Sequence, residues 1–578
     1  MRIPTIPTAP LLEALVLCVA LSLGCASGTG REDVGDDVVG EDTTPDGAVE
    51  DVMSDDGPAE PDTDDATSPD LVPPDETGEI APDTKPPDLC PEDACSPELY
   101  PPAETGGATL YVNNQCCLGG EALDGGLERP FHSIQAALDA AAGGDAVVVA
   151  PGAYQEHLLI EHPLSLVGAG MDWVTLQGKP GFVSIRVIPP EEDDAGPEGA
   201  VLIRGLTIDQ PFGAGMYLKA LDVTVEAVRV QDAQVEGEKI GHGVIVTAGA
   251  NVTLKDSIVA GSAGTGILYQ EAIGIIVRNL VMNNAGGGIS ILMTPNDEFV
   301  LIEDCDIADN QKAGIALSSG RANVTDCRIV GTTFGGGYTS ADGIHAGRTA
   351  DSLPESQLHL SDSVVAGNLR LGLLLSNETI SIIVRNLVAN NGSTGCWAQG
   401  NSFLEEFHNN ALVSNNFSGL ALASGAHGSI TDNLIADTRA ADFQQEPDGP
   451  VMFAAFGDGI AVLHGIHDYE ITGNYIVSNG RAMMIFDDVE GHEATDVSDN
   501  HPAEDGLDGL LADLPEFDEV GWAPTGQTAG NTNAAHGIVT QNQPPESSLS
   551  IDPLENGLDA IEMDIGLALP ADPGMLAD

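Results

Sequence analysis

The chain has 578 residues and a formal net charge of −70, from 20 Lys and Arg against 90 Asp and Glu. A polyanion of this kind is repelled by nucleic acid instead of being held by counterion release, so nucleic acid is not expected as a partner. Hydrophobic residues make up 42% of the chain but aromatics only 4%, and there are 69 glycines. A core must then be built from Val, Ile, Leu and Ala between glycine turns, which favours a repetitive all-β fold over a helical enzyme.

In chain order, the first feature is the apolar run 14–24 (ALVLCVALSLG), too short to span a bilayer and of the length of a secretory signal. Leu21-Ser22-Leu23-Gly24-Cys25 resembles a bacterial lipobox. That resemblance implies a signal peptide over 1–24 and lipidation of Cys25 as the mature N-terminus. Ala26 instead of Asp after the cysteine implies an exported, outer-membrane lipoprotein facing the periplasm or the cell surface. Ser22 stands where the lipobox usually has leucine, and Arg2 is the leader's one cationic side chain.

Residues 25–106 read as an acidic, Pro-rich linker. No Phe, Trp or Tyr precedes Tyr100, so the segment cannot bury enough apolar surface to offset its ordering entropy. A disordered linker of about 70 residues reaches roughly 50 Å, and further when charged. Its acids lack the fixed geometry that a calcium site requires, so no cofactor is assigned, although Ca2+ remains an option elsewhere. Cys90, Cys95, Cys116 and Cys117 do not match zinc spacings. In an exported protein they are candidates for two disulfides, with the pairing open.

Residues 107–485 carry a repeat of the form Φ-x-x-N-x-Φ, where Φ is apolar. Its N position falls at Leu206, Val228, Ser257, Asn279, Cys305, Cys327, Ser363, Asn386, Asn410, Asn433 and Asn474, mostly 22–24 residues apart. Every residue three before and two after this position is apolar, from Ile203 and Ile208 to Ile471 and Ile476. A second column reads Gly-Φ, as in Gly243-Val244, Gly266-Ile267, Gly343-Ile344 and Gly459-Ile460. Each unit holds two or three short strands that cannot bury their own face, whereas stacked units bury a continuous core with strands about 4.8 Å apart. Asn suits the corner because it tolerates left-handed backbone angles and its amide can bond to identical amides one coil above and below. Cys305 and Cys327 should stack at that corner as buried thiols in preference to a disulfide.

This column pattern, together with the segment PFHSIQAALDAAAGGDAVVVAPGAYQEHLLI at 130–160, resembles the right-handed parallel β-helix of the pectin-lyase-like superfamily. The resemblance implies an all-β, single-stranded solenoid with an N-terminal capping helix near Ser133–Ala141. It also implies that polysaccharide lies along the outer face of the sheet carrying the Gly-Φ strands. The residues after Φ are expected to point outward there: Ile245, Leu268, Ser290, Ala316, His345, Leu374, Trp397, Ala421 and Ala461. Gly241-His242-Gly243 is similar to a polygalacturonase motif and Asp342-Gly343-Ile344 to that family's Asp-Gly-Ile element, in reversed order.

The best catalytic constellation is Asp342, His345 and Arg348 on one coil, with Trp397 two coils away as a binding residue. His345 would act as base, Arg348 would neutralise a uronate carboxylate, and Trp397 would stack on a sugar face. Asp342 and Asp458 lie four coils apart, about 19 Å, which is too far for an inverting carboxylate pair. Residues 486–578 contain no Lys or Arg and are expected to form an acidic cap or tail, with 501–526 folding back over the open end. Two functions follow. The first is a surface-tethered, non-catalytic β-helix that binds polysaccharide or a cell-surface glycan, or that is adhesive or structural. The second is a polysaccharide lyase or epimerase acting on acidic polysaccharide. The charge favours the first, because like charges repel.

Overall fold

The computed structural model describes residues 96–486 apart from short breaks, of which 116–122, 190–198, 445–450 and 463–468 are the longest, together with 496–498 and 539–541. Cys25, the signal and linker before residue 96, Cys90, Cys95, Cys116, Cys117 and the segment 501–526 lie outside the described residues.

The chain is a right-handed parallel β-helix. Among the described residues one sheet holds 26 strands and a second holds 14, and neighbours pair in parallel. Parallel strands in one sheet are joined by right-handed crossovers in nearly all cases, which gives the solenoid its hand. One coil shows the construction: Asn251–Lys255, a corner at Asp256, Ile258–Ala260, a turn, and Ile267–Gln270. The first two strands belong to the larger sheet and the third to the smaller one. The next coil repeats them in register, with Leu254 on Ile276, Val259 on Val281 and Ile267 on Ile289. Those side chains are buried in one continuous core of Val, Ile and Leu.

The corner differs from expectation in one respect. The left-handed residue is the one before the N position. Asp256, Arg278, Asp304, Asp326, Asp362, Arg385, Asn409 and Asp432 have φ between 51° and 59°. This turns the next residue inward, so Asn279, Asn386, Asn410, Asn433 and Asn474 are buried. Each inward amide accepts from the coil before it: the backbone N–H and Nδ2 of Asn410 donate to Asn433 Oδ1 at 2.9 and 3.0 Å. Asn410 Nδ2 also donates to the Ile383 carbonyl at 2.8 Å. Cys305 and Cys327 occupy the same column as free, buried thiols. The neighbouring Cys305 and burial hold the Cys327 thiol above its usual range.

A second ladder runs parallel to the first, five residues on. Asn284, Asn310, Asn368, Asn391 and Asn415 are buried, and they link in the same way, with Asn391 N–H and Nδ2 donating to Asn415 Oδ1 at 3.1 and 2.9 Å.

The capping helix α1 spans Ile134–Ala140, within the expected Ser133–Ala141. Its first N–H groups are satisfied by Glu156, whose carboxylate accepts from Ile134 and Gln135 at 2.9 and 3.0 Å. Parallel pairing continues past residue 485, since Arg481–Phe486 pairs with Val539–Gln541 and Tyr469–Thr472 with Asp496–Ser498. The long insertion before Asn474 carries an antiparallel hairpin, Asp442–Gln444 with Val451–Ala454. No helix among the described residues is long and apolar enough to cross a membrane.

Candidate functional site

The smaller sheet carries the Gly-Φ strands, so the residues singled out from the sequence fall on its strands Ala341–Gly347 and Cys396–Ala398. Ile344 and Ala346 point into the core, while His345 between them points to the opposite side, and the Asp342 carboxylate lies beside its ring. They are not open to solvent. Asp342, His345, Leu374, Trp397, Ala421 and Ala461 are all buried. Alternation along the strand assigned the side of His345 correctly, but the outer face of this sheet is covered, and the expected exposed column is absent.

Asp342 and His345 are brought together, with Oδ2 and Nδ1 3.6 Å apart, which is beyond hydrogen-bonding distance. The carboxylate of Asp342 is engaged by Arg370, a residue that the sequence did not single out. Arg370 Nε donates to Asp342 Oδ1 at 2.7 Å and Nη2 to Oδ2 at 2.5 Å, and the Leu371 N–H adds a longer bond at 3.3 Å. Both partners are fully buried. This is the two-pronged geometry that makes arginine the preferred partner of a buried carboxylate. His345 Nδ1 and Arg370 Nη1 remain without a hydrogen-bond partner. Burial, together with the Arg370 charge, pushes His345 down to about 4, against the opposing pull of Asp342.

Arg348 does not join this group. Its guanidinium pairs with Glu378 on the following coil at 2.8 Å. Trp397 is only 2% exposed; its indole Nε1 donates to Gln399 Oε1 at 2.9 Å and its ring leans on Phe417 at 6.1 Å. It packs as a core residue and presents no free face to a sugar. The separation of Asp342 from Asp458 stands as expected, with three intervening strands between their own.

His242, in the Gly-His-Gly motif, is also buried, and the Thr265 N–H donates to its Nδ1 at 3.1 Å. Burial lowers it to about 4. Its imidazole serves the turn of the next coil instead of facing solvent. Among the described residues no group of three or more His, Cys, Asp or Glu is arranged to hold a metal ion.

The fold and this site define a right-handed parallel β-helix repeat protein. Residues 195–350 match the family described as right handed beta helix region. No curated protein matches the sequence. Among solved structures, the chain is similar to the A-module of the Azotobacter vinelandii mannuronan C-5 epimerase AlgE4, at 17% identity and TM-score 0.41, over 63% of this chain and 94% of that one. It is similar to the periplasmic alginate epimerase AlgG at 12% identity and TM-score 0.38, over 61% and 79%. It is also similar to the catalytic unit of an alpha-1,3-glucanase from Streptomyces thermodiastaticus at 12% identity and TM-score 0.38, over 63% and 66%. These likenesses concern the fold.

Proposed function

We propose that the chain is a β-helix tethered to the outer membrane through lipidated Cys25, which binds polysaccharide or a cell-surface glycan, or serves as an adhesive or structural module, without catalysis. One observation carries the non-catalytic part. The residues best suited to chemistry are locked away, with Asp342 held by Arg370 at 2.7 and 2.5 Å and His345 buried beside them. A general base must reach the proton it abstracts, and a buried imidazole under a covered sheet does not reach a polymer.

The juxtaposition of Asp342, His345 and Arg370 gives the second reading, a polysaccharide lyase or epimerase, its specific support. That reading requires the cover of the smaller sheet to open.

The full chain incubated with uronate and neutral polysaccharides, with and without calcium, separates the two. The expected result is retention on a polymer without new unsaturated or reducing ends. Turnover that disappears in His345→Ala overturns the non-catalytic reading. For the tether, Cys25→Ser is expected to move the protein out of the membrane fraction, and an unchanged distribution refutes lipidation.

A further inference from the structure

The larger sheet presents a face that none of the roles above uses. Its long strands point every second residue outward, and across successive coils these residues fall into two adjacent files. In one, Ile275 is followed in register by Leu301, Asn323, His359 and Ile382. In the other, Ile380 is followed by Phe403 and His427. Ile275, Leu301 and Phe403 are 37%, 39% and 36% exposed, which is high for large apolar groups gathered on one face.

Rings roof the stripe. Phe299 packs on His359 with centroids 4.7 Å apart, and Phe403 stacks on His427 at 5.0 Å with 19° between their planes. From Ile275 to His427 the stripe spans six coil steps, about 29 Å.

Its charge is one-sided. Glu298, Glu303, Glu405 and Glu406 stand exposed along it. Two cations on the same face are engaged already, Lys255 with Glu226 at 3.4 Å and Arg321 with Asp297 at 2.7 Å. Apolar surface rimmed by polar groups, here interrupted by Asn323, marks an interaction site. Here the complementary ligand must offer flat apolar faces together with positive charge.

We propose that this face of the larger sheet binds a polysaccharide bearing unsubstituted amino groups, whose C–H faces lie on the aliphatic and aromatic stripe and whose ammonium groups meet the flanking glutamates. The inference rests on the reading that the chain binds polysaccharide, and it names the ligand class. A polyuronate is the opposite case, since its carboxylates would meet Glu303, Glu405 and Glu406.

The test uses the full chain and three probes: a glucosamine polymer with free amines, the same polymer after full N-acetylation, and polygalacturonate. Retention on the free-amine polymer is expected to exceed that on the other two by tenfold or more. A polyanionic protein attracts any polycation, so the deciding variants conserve charge. Leu301→Ser with Phe403→Ser, both at exposed positions, should weaken retention at least tenfold with an unchanged circular dichroism spectrum and melting temperature. Phe403→Tyr, which keeps the ring, should retain binding and serves as the folding control. Equal retention of the serine variants and the parent overturns the proposal and identifies plain polyelectrolyte attraction. Preference for the acetylated polymer or polygalacturonate overturns it too, but leaves polysaccharide binding standing. Retention on none of the three defeats both.

Discussion

At the scale of single residues, the Asp342–Arg370 pair decides what its neighbours can do. Two opposite charges removed from water are tolerable only while each completes the other, and both carboxylate oxygens are engaged by the guanidinium. Arg370→Met leaves an unpaired buried carboxylate and should cost about 3–5 kcal/mol, whereas the double variant Asp342→Leu with Arg370→Met should recover most of it. Urea unfolding of the two singles and the double measures this; additive losses would show that the pair is not coupled. His345 gives a second expectation. Its folded value of about 4 lies below the ordinary imidazole value, so the unfolded chain binds the extra proton first. Stability is then complete above about pH 6.5 and falls as the pH drops toward 4, by on the order of 3 kcal/mol for one such group. His345→Gln should flatten the unfolding midpoint across that window relative to the parent, with His242 supplying the slope that remains. Asp342 and His345 were legible because they lie on one coil beside a Gly-Φ pair, although strict alternation would turn residues three apart to opposite faces. Arg370 was not, because 28 residues and a loop separate it from Asp342, and no local pattern ties them.

At the scale of the coil, the inward amides do what an apolar residue cannot. A corner exposes backbone N–H and C=O groups inside the wall, and each must find a partner. Asn410→Ala strips the N–H and Nδ2 of Asn386, one coil back, of their shared acceptor, and it frees the Ile383 carbonyl. Asn433 Oδ1 also loses the Asn410 Nδ2 donor, so four buried groups lose a bond, and a loss of about 3 kcal/mol or more is expected. Cys327→Ser should cost far less, since Ser257 and Ser363 already hold that position in other coils, where each hydroxyl accepts from a backbone N–H of the coil before and donates to the carbonyl two residues back. Denaturation midpoints of the two variants compare them directly, and a similar loss in both would mean that packing, not hydrogen bonding, governs the corner. The first ladder was readable as a column flanked by apolar residues. The left-handed residue before it was not, because Asp, Arg, Asn, Ala and Gly all occupy that position, and no single residue type advertises the conformation. The second ladder did leave a signal, the spacing in NLVMNN at 279–284 and NLVANN at 386–391, where the second Asn follows the first by five. What alternation along a strand could not reveal is whether a face is covered. His345 and Ile275 both point out of the solenoid wall, yet one is sealed and the other is open.

At the scale of the whole molecule, two electrostatic effects oppose each other. Along the solenoid, neighbouring coils are cross-linked by surface pairs such as Arg278–Asp256, Arg328–Asp306 and Arg385–Asp362 at 2.5–2.7 Å. Exposed pairs of this kind contribute only about 0.2–1 kcal/mol each and weaken with salt. Against them stands a net charge of −70, whose self-repulsion disfavours the compact state. Coils about 4.8 Å apart place many carboxylates within the Debye length of about 30 Å that holds at 0.01 M salt. Asp304 and Asp326, for instance, occupy the same corner on adjacent coils and are both exposed. At 1 M salt that length falls to about 3 Å, and the repulsion between coils is screened along with the pairs. Because the unpaired acids far outnumber the pairs, repulsion is the stronger of the two effects. The melting temperature should therefore rise, by on the order of 3 °C or more, as sodium chloride is raised from about 0.01 to about 0.5 M. A fall over the same range would show that the coil-to-coil pairs outweigh the excess charge. Glutamine at Glu303 and Glu405 should reproduce part of the rise at low salt, since it removes charge from the wall without removing a partner from any of those pairs.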